Sequence, residues 1–148
     1  TGGIKNIVVR NNRFSGTDTG LRFKSGIGRG GKVEGLYISD IFMTDIKDEA
    51  IVFECTYIDK KYSVKEDKAE TATYTDAPFA PDFGDIHISN VVCRNTKTAI
   101  SAHGLPGLKC VHDVTIDNCT FFYTKKDKDF DNNVDVKITN TKFLTYDK

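Results

Sequence analysis

Two basic side chains, Arg22 and Lys24, are the residues of this chain best suited to binding an anion. Apolar and basic residues alternate in the segment Leu21–Lys24, and successive residues of a strand point to opposite faces. If the apolar pair faces the core, both cations project from the outer surface. Like charges on one strand face repel each other, so folding alone gives no reason to place them together. A carboxylate ligand would give a reason, because Arg offers a planar fork and Lys a point charge; an ordinary solvated strand face is the alternative.

A run of carboxylates, Asp127-x-Asp129-x-Asp131, has the spacing found at the start of a calcium-binding loop. The sixth position of such a loop requires Gly and the twelfth requires Glu, but Asn132 and Ile138 occupy them here. We therefore expect a charged, solvated loop and no bound calcium.

The three histidines, His87, His103 and His112, do not have the spacing of metal ligands. His87 lies between two isoleucines, so the alternation sends its ring to the surface. His103 precedes the segment Gly104-Leu105-Pro106, which predicts a turn. We expect neither a metal nor a cofactor.

The strands that must position Arg22 and Lys24 are predicted by a sequence repeat that occurs five times. Its eight positions are apolar, any, apolar, any, Asn or Asp, any, any, apolar. Its alternating part has the period of a strand with one buried face. A repeat of 20 to 50 residues is typical of a solenoid, in which each unit buries its apolar face only by stacking on its neighbours. The sequence therefore predicts an all-β protein, a parallel β-helix of about five coils. The copies begin at Ile7, Leu36, Ile86, Val114 and Val136.

The Asn or Asp of each copy comes where the alternation breaks, as expected of a turn residue. If the coils stack in register, these side chains form an internal ladder that bonds along the stack. Asn118 starts a glycosylation sequon, Asn118-Cys119-Thr120, but its place in that ladder argues against modification there.

The second and third copies are 50 residues apart, about one coil more than the other spacings. We interpret residues 58–83, a polar stretch with Pro78 and Pro81, as a loop or hairpin inserted into a single domain of residues 1–148.

Composition excludes several function classes. Lys plus Arg and Asp plus Glu are 21 each, so no overall field attracts nucleic acid or anionic lipid. No apolar stretch is long enough to cross a membrane. The four cysteines form no Cys-x-x-Cys pair, which disfavours a zinc ribbon, and buried thiols or partial disulfides remain open.

The order of several short motifs resembles glycoside hydrolase family 28, the polygalacturonase and pectin-degrading family. Its Arg-Ile-Lys motif corresponds to Arg22-Phe23-Lys24. The apolar stretch Ala50–Phe53, which leads to Tyr57, and the segment Gly104-Leu105-Pro106 follow in the family's order. The similarity covers nearly the whole chain and is weakest in the insertion.

The resemblance implies a right-handed parallel β-helix and inverting hydrolysis of the α-1,4 links between galacturonic acid units. It also implies an acidic, galacturonan-like polysaccharide as partner, a role in cell-wall pectin degradation, and a secreted or periplasmic location. Arg22 and Lys24 would bind a sugar carboxylate beside the scissile bond, and Tyr57 would line the same cleft. Of the other tyrosines, Tyr37 is expected to be exposed and could stack on a sugar ring.

The family's catalytic Asn-Thr-Asp, Asp-Asp and Gly-His-Gly motifs do not occur in this sequence. They precede the point that matches Thr1, so we expect the C-terminal part of a longer β-helix that lacks catalytic residues and is inactive alone. Asp18 is expected to be a turn residue and does not replace them. The alternative is a non-catalytic carbohydrate-binding or structural β-helix module. An uncapped first coil would also favour a homo-oligomer.

Overall fold

Eight β-strands form one continuous, entirely parallel arrangement in the computed structural model, which describes residues 2–26, 30–56 and 80–147. No helix occurs among these residues, so none could cross a membrane. The strands are β1 (Gly3–Ser15), β2 (Leu21–Lys24), β3 (Lys32–Glu54), β4 (Asp82–His103), β5 (Val111–Asp117), β6 (Thr120–Phe130), β7 (Val134–Thr139) and β8 (Lys142–Thr145).

The strands wind into the coils of a parallel β-helix, as the repeat predicted. The five repeat starts pair directly, from Ile7 to Leu36, Ile86, Val114 and Val136. Coil one contains β1 and β2, coil two β3, coil three β4, coil four β5 and β6, and coil five β7 and β8. The long strands bend at corners, so that one strand contributes to more than one face of the coil.

Each corner is formed by residues with left-handed backbone, φ between 48° and 74°. Gly, Asn and Asp adopt this conformation most readily, which explains why they recur there. Residues in register share a corner: Asn6, Gly35, Asp85 and Asp113 at the first, Asn11, Asp40, Asn90, Asn118 and Asn140 at the second, and Gly16, Asp45 and Asn95 at the third.

The repeat Asn and Asp residues do form a ladder, but the prediction that it is internal was wrong. Asn90 donates to Asp40 at 3.3 Å and Asn118 donates to Asn90 at 2.6 Å, yet these residues are exposed. Asn140 departs from the series and donates to Asp117 at 3.0 Å. A left-handed residue at a convex corner directs its side chain outward, so burial gives no argument against modification of Asn118.

The core is a column of apolar side chains that stack from coil to coil. Phe53 is fully buried, lies 4.5 Å from Phe23 in a parallel stack, and meets Phe83 edge-on at 6.4 Å. All four cysteines are buried free thiols, which agrees with the simpler of the two expectations. The core therefore fixes β2 and β3 against each other directly beneath Arg22.

The predicted insertion lies largely outside the described residues, which resume at Ala80. Strand β4 begins at Asp82, and Phe83 is 2% exposed in the core. The last two residues of the predicted segment 58–83 therefore belong to coil three.

His112 connects coils three and four through its contacts to two aspartates, and these contacts predict that the stability of the fold depends on pH. Its ring lies against Gly84, and its nitrogens contact Asp82 at 2.5 Å and Asp113 at 2.7 Å. Burial disfavours the charged ring, but the hydrogen bonds to Asp113 and Asp82 outweigh burial and raise the pKa of His112 above its usual value. The folded protein then holds this proton to higher pH than the unfolded chain.

The stabilisation from His112 should be fully present below about pH 6.5 and should be lost as the pH rises through the raised pKa. We expect the free energy of unfolding, measured with urea at a series of pH values, to fall across this window in the wild type. The His112→Gln variant should lack that component of the slope. An unchanged slope in the variant would contradict the assignment.

Candidate functional site

A cavity of about 480 Å³ opens on the flank of the helix where β2, β3, β4 and β6 run side by side. It lies over coils one to four, and Arg22 is part of its lining. Its described lining comprises Asp18, Thr19, Arg22, Asp48, Glu49, Val52, Phe53, Glu54, Thr56, Ser101, His103 and Asp129.

The sheet register arranges one line of this lining into a ladder along the helix axis. Arg22 pairs with Val52, Val52 with Ser101, and Ser101 with Asp129. Neighbouring strands lie about 4.8 Å apart, so Arg22 and Asp129 stand at opposite ends of a line of four coils. A parallel line carries Lys24, Glu54 and His103.

The predicted alternation in β2 is confirmed. Leu21 and Phe23 are 8% and 9% exposed, whereas Arg22 and Lys24 are exposed on the opposite face. Both cations therefore project from the same flank, because the stacked core holds the two apolar neighbours inward.

Arg22 does not stand alone on this flank. One of its guanidinium nitrogens, Nη2, donates to Oε2 of Glu54 at 3.0 Å, and both side chains remain partly exposed, at 42% and 36%. A guanidinium has five N–H donors, so this one bond leaves it capable of binding a further anion. An incoming carboxylate would share Arg22 with Glu54.

Carboxylates dominate the remaining walls. Burial raises the pKa of Glu49, and the adjacent charge of Asp48 raises it further. Asp18, in the bend between β1 and β2, forms an ion pair with Lys47 at 3.0 Å. Asp18 was predicted to be a turn residue before a strand, and it lies in the bend that precedes β2.

His103 and Asp129 enter the cavity although the sequence analysis assigned neither to a site. His103 is the last residue of β4 and not part of a turn, and its Nε2 lies 3.5 Å from Asp129. Its Nδ1 lies 3.8 Å from Asp131, whose carboxylate accepts a hydrogen bond from the backbone of Gly104. The prediction of a solvated loop was wrong for Asp127 and Asp129, which lie on β6 because that strand extends to Phe130, whereas Asp131 follows the strand outside any regular element.

The two tyrosines that were predicted to contact a sugar, Tyr57 and Tyr37, have different outcomes. Tyr57 lies outside the described residues, so its place relative to Arg22 stays a prediction. Tyr37 is exposed as expected, at 50%, but its ring stacks on His87 at 5.0 Å on another face of the coil. The structure therefore does not bring Tyr37 to the cavity of Arg22.

Among residues 2–26, 30–56 and 80–147, no group of three or more His, Cys, Asp or Glu side chains is arranged to hold a metal ion. The described lining of the cavity offers one cation, Arg22, a histidine and several carboxylates, and Lys24 projects from the same flank.

A scan against protein-family models matched glycosyl hydrolases family 28 over residues 2–139. The chain belongs to this family. The family 28 match runs from coil one to the end of β7 in coil five, and it makes this part of the molecule a polygalacturonase-like region of a glycoside hydrolase. A search of curated proteins and a search of solved structures each returned no match.

Proposed function

We propose that this chain forms the C-terminal coils of an inverting, polygalacturonase-type hydrolase and supplies its substrate-carboxylate-binding residues, Arg22 and Lys24. The observation that carries the proposal is the position of both cations on one outward flank, with Arg22 lining a cavity large enough for sugar rings. Membership of family 28 supports glycoside hydrolysis as the reaction. The substrate is an acidic, galacturonan-like polysaccharide, and the location is secreted or periplasmic.

The proposed division of labour assigns the reaction itself to residues outside this sequence. Inversion requires a carboxylic acid to protonate the leaving oxygen and a carboxylate to activate water across the sugar ring. The family motifs that supply these acids do not occur in the 148 residues. Arg22 and Lys24 would hold the carboxylate of a sugar next to the scissile bond, and Tyr57 would contribute to the same cleft.

The test compares the full-length protein with the 148-residue chain on polygalacturonate. Release of reducing ends should occur only with the full-length protein, and proton NMR of the first product should show inverted anomeric configuration. Absence of hydrolysis in both samples would overturn the proposal.

A second candidate function, a non-catalytic carbohydrate-binding module, is favoured by one observation. The described carboxylates around the cavity, such as Glu49 and Glu54, belong to none of the family's catalytic motifs. Binding of galacturonan by the full-length protein without any hydrolysis would favour this function.

The edge of coil one predicts that it pairs with a second chain or, in a longer β-helix, is covered by the coils that precede it. Ile7 corresponds in register to the buried Leu36 but is 39% exposed, and Ile4 is 47% exposed. Within the described residues, β1 pairs only with β3, so its other edge offers unpaired backbone groups to a second chain.

We expect sedimentation velocity of the 148-residue chain to show a species that grows with concentration, and Ile4→Lys to reduce it. A monomer at all concentrations would contradict this prediction.

A further inference from the structure

Tyr37 presents an open ring face on a flank of the β-helix that lies two corners away from the cavity of Arg22. Toward coil three, its ring stacks on His87, with the centroids 5.0 Å apart and the planes 12° apart. Toward coil one, the residue in register is Val8, whose side chain reaches less far from the sheet than a tyrosine ring does. Tyr37 is 50% exposed and Val8 63%. The outer part of the Tyr37 ring therefore has a free face on the side of Val8.

His87 holds the Tyr37 ring in this orientation. Its Nδ1 lies 3.1 Å from the hydroxyl of Thr115, and its Nε2 lies 2.7 Å from the carboxylate of Asp85. Contacts at both nitrogens fix the plane of the imidazole, and the stacked imidazole fixes the plane of Tyr37. A side chain whose orientation is set before binding loses little freedom when a ligand packs on it. The Tyr37 ring is therefore preorganised to receive the flat side of a ligand.

A cation and a hydroxyl stand beside the open face of Tyr37. Arg10 follows Val8 by two residues on β1, and Ser39 follows Tyr37 by two residues on β3. Residues two apart on a strand point to the same face, so these four side chains share one surface. The distance along the strand is about 6.6 Å, which is comparable to the width of a sugar ring. A ring packed on Tyr37 is thus within reach of a guanidinium and a hydroxyl.

The guanidinium of Arg10 is open to an anionic ligand. Within the described part of the chain it forms no ion pair. The carboxylates that flank the site along β3 already have partners, because Asp40 accepts a hydrogen bond from Asn90 at 3.3 Å and Glu34 pairs with Lys32 at 2.9 Å. A ligand that carries a carboxylate would therefore be attracted to Arg10.

We propose that Val8, Arg10, Tyr37 and Ser39 form an accessory saccharide-binding site that takes one uronate ring. The ring packs its C–H bonds on Tyr37, because the face of an aromatic ring is electrically negative. Its edge rests on Val8, its carboxylate pairs with Arg10, and one of its hydroxyls bonds to Ser39. The choice of an acidic sugar rests on the proposed function, whereas the position of the site follows from the geometry.

This accessory site would hold a polysaccharide without taking part in its cleavage. It lies between the first and second corners of the coil, whereas β2 and the cavity of Arg22 follow the third. Only a long chain reaches both places. Attachment at one place raises the effective concentration of such a chain at the other. The site should therefore affect polymers and leave short oligosaccharides unaffected.

Kinetics on a long and a short substrate test this role. In the full-length protein, Tyr37→Ala should raise the half-saturating concentration of polygalacturonate about fivefold. It should leave kcat/KM on trigalacturonate within about twofold of the wild type. Tyr37→Phe keeps the ring face and should behave as the wild type on both substrates.

Arg10→Ala tests the recognition of the carboxylate separately. It should raise the half-saturating concentration of polygalacturonate about threefold at low salt. This effect should disappear at about 0.5 M salt, because exposed charges are then screened, whereas the effect of Tyr37→Ala should persist. Arg94→Ala and Leu144→Ala are the matched controls, an exposed arginine of β4 and a 43% exposed apolar residue of β8, and should change neither substrate.

The outcomes distinguish this inference from the proposed function. If Tyr37→Ala and Arg10→Ala match a wild type that hydrolyses polygalacturonate, the inference fails and the proposed function stands. Equal losses on the long and the short substrate would show that Tyr37 acts through the fold or the cavity, which also overturns the inference. If the wild type neither binds nor hydrolyses polygalacturonate, the proposed function fails and the acidic ligand assigned to this site fails with it.

Discussion

Arg22→Ala and Lys24→Ala, each made in the full-length protein, should lower kcat/KM on polygalacturonate while leaving thermal stability nearly unchanged. Each substitution removes a charged contact to the substrate, which is worth about 1.5–3 kcal/mol, a fall of roughly 10- to 150-fold in rate. Both side chains are exposed, so little packing is lost from the core. Steady-state kinetics and thermal melting on the same samples measure the two quantities.

Arg94 provides the matched control for these variants. It is an exposed arginine of β4 that does not line the cavity of Arg22. Arg94→Ala should leave both kcat/KM and the melting temperature close to those of the wild type. Parallel losses of turnover and stability in the Arg22 and Lys24 variants would instead assign them a structural role.

The largest effect on stability is expected from Phe53→Ala. Phe53 has no exposed surface and contacts rings in coils one and three, Phe23 and Phe83. Removing a buried phenylalanine ring costs about 3–5 kcal/mol, because the surroundings collapse only partly into the cavity. The free energy of unfolding from urea titration measures this loss. Because coils contact only their neighbours, the damage should centre on coils one to three.

Phe42→Ala is the control on the same strand. Phe42 points outward and is only partly buried, with the guanidinium of Arg13 packed 5.0 Å above its ring. A cation–π contact at an exposed site is worth about 0.5–1 kcal/mol, so the loss should be much smaller than at Phe53. Equal losses of unfolding free energy in the two variants would show that the aromatic stack around Phe53 does not hold β2 against β3.

Sequence predicted the coil register well because one face of each strand is buried. A slip by one residue would turn every apolar side chain of a repeat outward, so the alternation fixes which residues stack. The pairing of Ile86 with Leu36 and Val114 follows directly. The same alternation placed Arg22 and Lys24 on one outward flank.

The acidic side of the cavity could not be predicted in the same way. Apolar residues run without alternation through Ala50–Phe53, so the pattern gives no direction for Glu54. The segment before Asp129 is charged throughout, and its strand conformation comes from pairing with β4, in which Ser101 aligns with Asp129. Tertiary pairing here overrides a local composition that is typical of loops.

The ladder shows a different limit of sequence analysis. The repeat identified Asp40, Asn90 and Asn118 as turn residues that stack, and their hydrogen bonds agree. Whether such a ladder lies inside or outside the coil depends on the direction in which the corner bends. That direction is a property of the left-handed backbone in the closed coil, and alternation does not encode it.

The central claim is that Arg22 binds a carboxylate of the substrate. Its most direct test is a double-mutant cycle in which one change is made in the protein and the other in the substrate. Activity of wild type and Arg22→Ala would be measured on a galacturonate oligosaccharide and on the same oligosaccharide with its carboxyls reduced to neutral galactose. If Arg22 binds the substrate carboxylate, the substitution should cost about tenfold or more on the acidic substrate and almost nothing on the neutral one. Equal losses on both substrates would contradict the claim.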